Sequence, residues 1–238
     1  YLAAARGENV GLGALPGGAE AYAFRIRFHT TTGLTAEQIH RIGLDELQSI
    51  QKEMRAIAGP DLKAFQASLQ RDPRNFFSSR EDLLDTARRQ LARAETMLPA
   101  WFGRLPRNRC EVKAIEDYRE KDSVSAFYYP PDEALTRNGI YYANTYQPES
   151  RPRFNLPALT LHEAVPGHHL QLALALEIEQ LPRFRRNAAF TAYVEGWGLY
   201  AERLGVEMGF YEDDLSRFGM LTYQAWRACR LVVDTGLH

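Results

Sequence analysis

The amino-acid sequence predicts a mainly α-helical fold that contains one small β-sheet. Apolar residues recur at helical spacing over long segments on both sides of residues 109–146. Residues 109–146 are instead rich in valine, isoleucine, phenylalanine and tyrosine, which favour strands. We therefore divide the chain into a helical part at 1–108, a small sheet at 109–146 and a second helical part at 157–238.

The first helical part contains two amphipathic helices with clear boundaries. In "TAEQIHRIGLDELQSIQKEMRAIAG", Thr35 and Gln38 have the spacing of a capping box, and Gly59-Pro60 ends the apolar pattern. Ser79 is a suitable N-cap for "REDLLDTARRQLARAETMLPAWF", whose leucines and alanines form one apolar face. The glycine-rich stretch before these helices, "GLGALPGGAEAYAFRIRFHTTTGL", predicts a loop that leads to a turn.

The middle of the chain predicts three short strands, at about 110–116, 123–129 and 139–146. A Pro-Pro pair and an Asn-Gly pair separate the second strand from the third and predict turns there. These strands are the only strand-like part of the sequence, so we expect them to form one small sheet.

Beyond Pro157 the helical spacing returns. It runs through a histidine-rich segment, breaks at Pro182 and continues through "NAAFTAYVEGWGLYAERLGVEMG" and "LSRFGMLTYQAWRACRLVVDTG". We predict a single domain over residues 1–238. Because the sequence starts without an initiator methionine or a signal-like segment, and no helix-ending signal follows its last histidine, we expect it to be the C-terminal part of a longer domain.

The composition excludes several classes of protein. With 45% hydrophobic residues, 25% charged residues and a net charge of −1, the sequence is typical of a globular protein, and its balanced charges exclude a nucleic-acid partner. The longest apolar runs, such as "LQLALALEI", are about half as long as a membrane span requires. Two cysteines are too few for a disulfide framework or a cysteine metal site, and they leave a cytoplasmic or an exported location open.

The segment "LTLHEAVPGHHLQ" holds three of the six histidines within eight positions. In the zinc motif H-E-x-x-H, two histidines on one helix face bind the ion, and the glutamate acts as general base on the water that the ion polarises. Here His162 and Glu163 match the first half of that motif, but Pro166 occupies the position of the second histidine. The segment therefore predicts a variant metal site in which Glu163 is the general base.

Pro166 disfavours a straight helix through this site. Proline lacks the N–H that would bond the carbonyl of His162, and Gly167 adds local freedom, so we expect a kink or a bulge. On a straight helix His168 would lie about 240° around the axis from His162, and His169 would lie roughly 10 Å farther along it. A two-residue bulge would bring His168 to the usual position, while the residue pattern alone leaves His169 as the alternative ligand.

A catalytic zinc site uses three protein ligands and one open position. Glu195 is the best third ligand, because it lies 27 residues after His168 on an apolar helical stretch where a carboxylate must be paired or functional. The competing interpretation is a buried salt bridge from Glu195 to Arg203 or Arg230. Glu202 follows seven residues later on the same helix face and is expected to support the site as a hydrogen-bond partner or as an alternative ligand.

The combination of "HEAVPGHHLQ", "VEGWGLYAERL" and "WRACRLVVDTGLH" resembles the bacterial family called domain of unknown function 885, which is grouped with the zinc metallopeptidases. The resemblance covers nearly the whole chain. The two-helix core is also similar to carboxypeptidase Taq and thimet oligopeptidase, whose helices carry H-E-F-G-H and a later glutamate ligand. The resemblance implies a zincin-like helical domain with zinc held by His162, His168 and Glu195. Because it matches the "GH" of those proteins to Gly167-His168, it favours His168 over His169.

These patterns predict a zinc-dependent metallopeptidase that acts on short peptides, with Zn²⁺ as cofactor. In similar peptidases a short strand beside the motif helix pairs with the extended substrate, and "GIYYANTY" is the candidate for that edge strand. Tyr142, Arg227 and His238 are candidate residues for substrate binding or for stabilising the oxyanion.

Two other functions remain open at this point. The same ligands would serve a zinc-dependent amidase or another hydrolase that acts on a small molecule. Alternatively, the insertion at Pro166 could have abolished the site and left a catalytically silent helical binding protein.

Overall fold

Residues 10–238, which the computed structural model describes, form ten α-helices and one three-stranded sheet. The mainly helical fold with a small sheet is thus confirmed. The helices are α1 (Gly18–Thr30), α2 (Ala36–Ala58), α3 (Leu62–Arg71), α4 (Arg80–Met97), α5 (Asp117–Glu120), α6 (Leu156–Glu163), α7 (His168–Leu176), α8 (Arg183–Asn187), α9 (Thr191–Glu207) and α10 (Asp214–Leu237). The strands are β1 (Cys110–Ala114), β2 (Ala126–Tyr129) and β3 (Gly139–Ala143).

The predicted helix boundaries in the first part are confirmed. The Thr35 side chain accepts a hydrogen bond from the N–H of Gln38, and the Gln38 side chain accepts one from the N–H of Thr35, which completes the capping box of α2. Ser79 caps α4 by accepting a bond from the N–H of Asp82. These bonds satisfy N–H groups that the first turn of a helix leaves unpaired.

The loop predicted around residues 11–34 is wrong for most of its length, because Gly18–Thr30 forms α1. Tyr22 and Ile26 lie one turn apart and pack with Ile39 of α2 in a small apolar cluster. The Tyr22 hydroxyl also donates to Asp234 of α10 over 2.7 Å. Contacts with distant helices thus stabilise a helix that the glycine-rich local sequence does not indicate.

The sheet has the order β1-β3-β2, with β3 parallel to β1 and antiparallel to β2. The three predicted strands are confirmed, but the prediction that "GIYYANTY" is an edge strand is wrong. Tyr141 at the middle of β3 pairs with Val112 on one side and Tyr128 on the other. Ile140, Tyr141 and Ala143 are buried, which is typical of a central strand. The edge strand that contacts α6 is therefore β2.

Helix α6 lies at the centre of the molecule, with α4, α9, α10 and β2 packed around it. All but one of its eight residues are buried, as expected for a helix that is apolar around most of its circumference. Burial of each large apolar side chain in this core contributes about 1.5–3 kcal/mol. Core side chains less than 2% exposed include Leu161, Leu170, Phe210, Phe218, Met220 and Leu221. The predicted metal ligand His162 is thus carried by the most enclosed element of the fold.

No helix within residues 10–238 is both long enough and apolar enough to cross a membrane. This agrees with the short apolar runs in the sequence.

Candidate metal centre

The histidine motif is divided between two helices. Helix α6 ends at Glu163 and α7 begins at His168, and the Val165–Pro166 peptide bond between them is cis. The Trp197 indole of α9 donates a hydrogen bond of 2.8 Å to the carbonyl of Pro166. A β-carbon on Gly167 would collide with the carbonyl oxygen of His162, so this turn requires glycine. The interruption is thus a defined connection between two helices and not a bulge within one helix.

This connection brings His162, His168 and Glu195 together. One ligand atom from each residue lies within 4.8 Å of those of the other two. The Glu195 carboxylate is 3.4 Å from Nε2 of His162 and 3.8 Å from Nε2 of His168. Arg203 instead pairs with Glu53, and Arg230 packs over Trp226, so the salt bridge considered for Glu195 does not form with either arginine.

The cluster has the donor set that zinc prefers. Two imidazole nitrogens and one carboxylate oxygen form the set found in many catalytic zinc sites. Zinc–ligand bonds of about 2.0–2.2 Å in a tetrahedron place ligand atoms roughly 3.3–3.6 Å apart. Oε2 of Glu195 lies 3.4 Å from His162 and Oε1 lies 3.8 Å from His168, so a small movement of the carboxylate would bring one oxygen to both histidines. Both histidines are buried, while the Glu195 side chain is 58% exposed, so the cluster opens to solvent on the α9 side.

A carboxylate and a guanidinium fix the orientation of His162. Its Nδ1 is 2.7 Å from Oε1 of Glu202, which is fully buried, so Nε2 is left for the metal. Arg227 donates to both carboxylate oxygens of Glu202, over 2.9 and 3.2 Å. Glu202 thus supports the first histidine, as the sequence predicts. His168 differs, because its Nδ1 is buried without a hydrogen-bond partner.

Helix α9 presents a face of alternating glutamates and glycines to α6. Glu195, Gly198, Glu202 and Gly205 are spaced three, four and three residues apart and therefore lie on one side of the helix. A β-carbon on Gly198 would lie 2.6 Å from Cε1 of His162, and one on Gly205 would overlap the Leu161 side chain. The two glycines thus allow the close approach that brings both carboxylates to His162.

His169 does not belong to the cluster. Its Nε2 bonds the carbonyl oxygen of Asn108 over 2.9 Å, and its Nδ1 bonds the Tyr128 hydroxyl over 2.8 Å. Both ring nitrogens are therefore engaged by the sheet side of α7. Of the two histidines that the sequence leaves open, the structure places His168 at the cluster.

Burial and neighbouring charges shift the pKa values of the central residues in opposite directions. Burial raises the pKa of Glu163 to about 7, although the positive charge of His162 opposes this shift. For His162 burial opposes the charged form, but the hydrogen bonds to Glu195 and Glu202 outweigh it and raise the pKa to about 9. Burial and the charge of His162 lower the pKa of His168 to about 4. The hydrogen bond from His162 holds the pKa of Glu195 below its usual value.

The three residues that the sequence suggested for substrate binding or oxyanion stabilisation do not lie in suitable positions. Tyr142 stacks on Phe127 with ring centroids 4.9 Å apart, on the face of the sheet opposite to Tyr141 and Tyr128. Arg227 is near the cluster, but its guanidinium is bound to Glu202. We therefore withdraw Tyr142 and Arg227 as groups that contact substrate.

His238 lies at the far end of α10 from the cluster. Its Nδ1 accepts a hydrogen bond from the N–H of Leu12, and its ring packs against Tyr22. Eleven residues of helix separate it from Arg227, about 16 Å along the axis. We therefore withdraw His238 as well.

Two tyrosines that the sequence did not distinguish interact electrostatically with Glu163. Tyr141 is fully buried, and its hydroxyl interacts with the side chain of Thr160. Tyr223 is partly buried one turn before Arg227, whose guanidinium carbon is 5.8 Å from its ring. Burial and the negative charges of Glu202 and Glu163 raise the pKa of Tyr223 to about 12, so its hydroxyl keeps its proton. The four-residue spacing of Tyr223 and Arg227 places both on the same face of α10, and this could be read from the sequence. That this face meets the cluster is known only from the position of Arg227 in the structure.

The fold and site define a mainly helical protein with a cluster of two histidines and one glutamate between its helices. The chain belongs to the family described as "Bacterial protein of unknown function (DUF885)", whose model matches residues 1–238. The chain is also similar to a solved structure described as "the putative lipoprotein from Colwellia psychrerythraea", with 34% sequence identity and a TM-score of 0.92. That match covers 97% of this chain and 41% of the other, so this chain spans less than half of its length. The comparison with curated proteins gives no match.

Proposed function

We propose that this protein is a zinc-dependent metallopeptidase that hydrolyses short peptides. The convergence of His162, His168 and Glu195, with Glu163 directly after the first histidine, is the observation that carries the proposal. When bound, zinc supplies a Lewis acid that polarises a carbonyl group and lowers the pKa of water. The exposed side of Glu195 leaves a path for substrate to this position.

Glu163 is the proposed general base and then general acid. It accepts a proton from the attacking water and delivers it to the leaving amine as the peptide bond breaks. Burial raises the pKa of Glu163 in the metal-free protein, and a bound zinc ion would lower it again, so that the carboxylate is ionised and ready to accept the proton near neutral pH. Glu163 is buried beside the cluster and makes no salt bridge with an arginine or lysine in the described part of the chain, so its carboxylate is free for this role.

Tyr223 is the proposed donor to the oxyanion that develops on the substrate carbonyl. Its hydroxyl keeps its proton, the charge of Glu163 acts on it, and no hydrogen bond within residues 10–238 occupies it. A donor placed where negative charge develops typically contributes about 10²–10³-fold to the rate. Tyr223 thus takes the role first considered for Tyr142.

Strand β2 is the proposed docking edge for substrate, in place of β3. It pairs with β3 on one side only and contacts α6. An extended peptide can add to such an edge through main-chain hydrogen bonds. Because β2 has four residues, this edge suits a short extended segment better than a folded protein.

The test is cleavage of a diverse peptide library by the zinc-loaded protein, followed by mass spectrometry. Glu163→Gln is the matched control, because it keeps the size of the side chain and all three metal ligands. We expect it to bind zinc and to lose about 10²–10⁴-fold in kcat. Stoichiometric zinc without cleavage of any peptide, or equal cleavage by Glu163→Gln, would contradict the proposal.

A further inference from the structure

His169 directly follows the ligand His168 but faces the small sheet. It is 2% exposed, and its two nitrogens bond the carbonyl of Asn108 and the hydroxyl of Tyr128. We propose that His169 is a positioning residue that ties the edge strand β2 to α7 and thereby fixes this strand relative to the metal centre. The catalytic part of this inference rests on the proposed peptidase function.

The hydrogen bonds determine which group donates. A backbone carbonyl oxygen only accepts, so Nε2 of His169 carries the proton that bonds Asn108. In the neutral ring Nδ1 is then an acceptor, and the Tyr128 hydroxyl donates to it. His169 therefore links the segment before β1 to strand β2 through one rigid ring.

The ring of His169 is closely packed against the sheet. A β-carbon on Gly139, the first residue of β3, would lie 2.6 Å from Nδ1 of His169 and would also overlap the Tyr128 hydroxyl. The Tyr128 ring centroid is 6.4 Å from that of His168. Tyr128 thus lies beside both histidines: its hydroxyl bonds one, and its ring packs near the other. Loss of the hydroxyl bond would free β2 without removing a group from the cluster.

Two other roles for His169 conflict with these contacts. A metal ligand would have to release Asn108 or Tyr128, and its ring would have to turn away from the sheet. A general acid or base needs access to the substrate, but the side chain is almost fully enclosed. A positioning role accounts for both bonds and for the burial.

Tyr128→Phe tests the inference, because it removes one hydroxyl and keeps the ring. Tyr142→Phe, on the opposite face of the same sheet, is the matched control. In Tyr128→Phe we expect hydrogen exchange of the amides at 126–129 to accelerate roughly 3- to 10-fold and KM to rise by a similar factor, which corresponds to one hydrogen bond. We expect kcat and the zinc Kd to stay within about threefold of the unmodified protein, whereas His168→Ala loses zinc.

Two results would overturn the inference. One is that Tyr128→Phe loses zinc affinity as severely as His168→Ala, which would make this side of α7 part of the metal site. The other is that hydrogen exchange and KM match those of Tyr142→Phe. If the zinc-loaded protein cleaves no peptide, the proposed function fails, while the exchange and zinc measurements still decide whether His169 holds β2.

Discussion

Arg227 stabilises the buried carboxylate of Glu202. Glu202 has no exposed surface, and Arg227 is bonded to both of its oxygens. We expect Arg227→Ala to lower the free energy of unfolding by about 1.5–3 kcal/mol, because it removes the charge-assisted contacts of the guanidinium and leaves His162 as the remaining positive partner of this buried carboxylate. Arg203→Ala is the control, since Arg203 pairs with Glu53 in a half-exposed salt bridge and is expected to contribute about 1 kcal/mol or less. Urea unfolding measures both, and equal losses would contradict this view of Glu202.

Zinc binding is expected to displace a proton from His162. With a pKa of about 9, this ring is protonated at pH 7 in the metal-free protein. A metal ligand must be deprotonated, so binding releases about one proton from His162 at pH 7 and fewer as the pH rises above 9. Calorimetric titration with zinc in buffers of different ionisation enthalpy measures this number. A proton release near zero at pH 7 would contradict the combination of a raised pKa and a ligand role for His162.

The contact between α9 and α6 depends on two glycines, and Gly198 is the one that faces His162. We expect Gly198→Ala to displace the His162 ring, to cost about 1–3 kcal/mol of stability and to weaken zinc binding. Gly196→Ala in the same helix meets no atom within 4 Å. Because alanine favours a helix over glycine, that control should gain about 0.5–1 kcal/mol and keep its zinc affinity. Thermal unfolding and zinc titration of the two variants distinguish them, and equal behaviour would argue against a close approach at Gly198.

Local sequence signals predicted most of the helices and strands but not which elements pack against each other. The capping box at Thr35 and Gln38 and the strand composition were sufficient because their causes lie within a few residues. Helix α1 was missed because its stability comes from Ile39 and Asp234, which are distant in the sequence. The order of the strands was missed for the same reason, since nothing within "GIYYANTY" indicates that β3 has two partners.

In the candidate metal centre, too, the sequence predicted features that depend on neighbouring residues and missed those that depend on distant ones. The spacing around Pro166 indicated the interruption, and the family resemblance favoured His168. The role of His169 depends on Asn108 and Tyr128, far from it in the sequence, so no pattern near the motif could reveal it. Tyr223 and Arg227 likewise depend on where α10 crosses α6.

The three proposed ligands lie on α6, α7 and α9, so a bound ion would join three helices. We expect zinc at about 100 times its Kd to stabilise the folded protein by about 2.7 kcal/mol, or roughly 5–10 °C in Tm. His168→Ala should lose this shift, and Tyr142→Phe should keep it. Differential scanning calorimetry with and without zinc measures the shift, and an undiminished shift in His168→Ala would place the ion elsewhere.

Glu195 is much more exposed than His162 and His168, and this difference would affect how long a bound ion stays in the site. Both histidines are enclosed by the core, whereas Glu195 belongs to the first turns of α9, where most residues are exposed. Such turns open locally at far lower free energy than the core. A chelator would therefore remove the ion at the rate at which the start of α9 frays, long before the rest of the molecule unfolds. The rate of metal loss would then depend in part on two hydrogen bonds that hold this end of α9, from Trp197 to the Pro166 carbonyl and from Gln171 to the Tyr193 carbonyl.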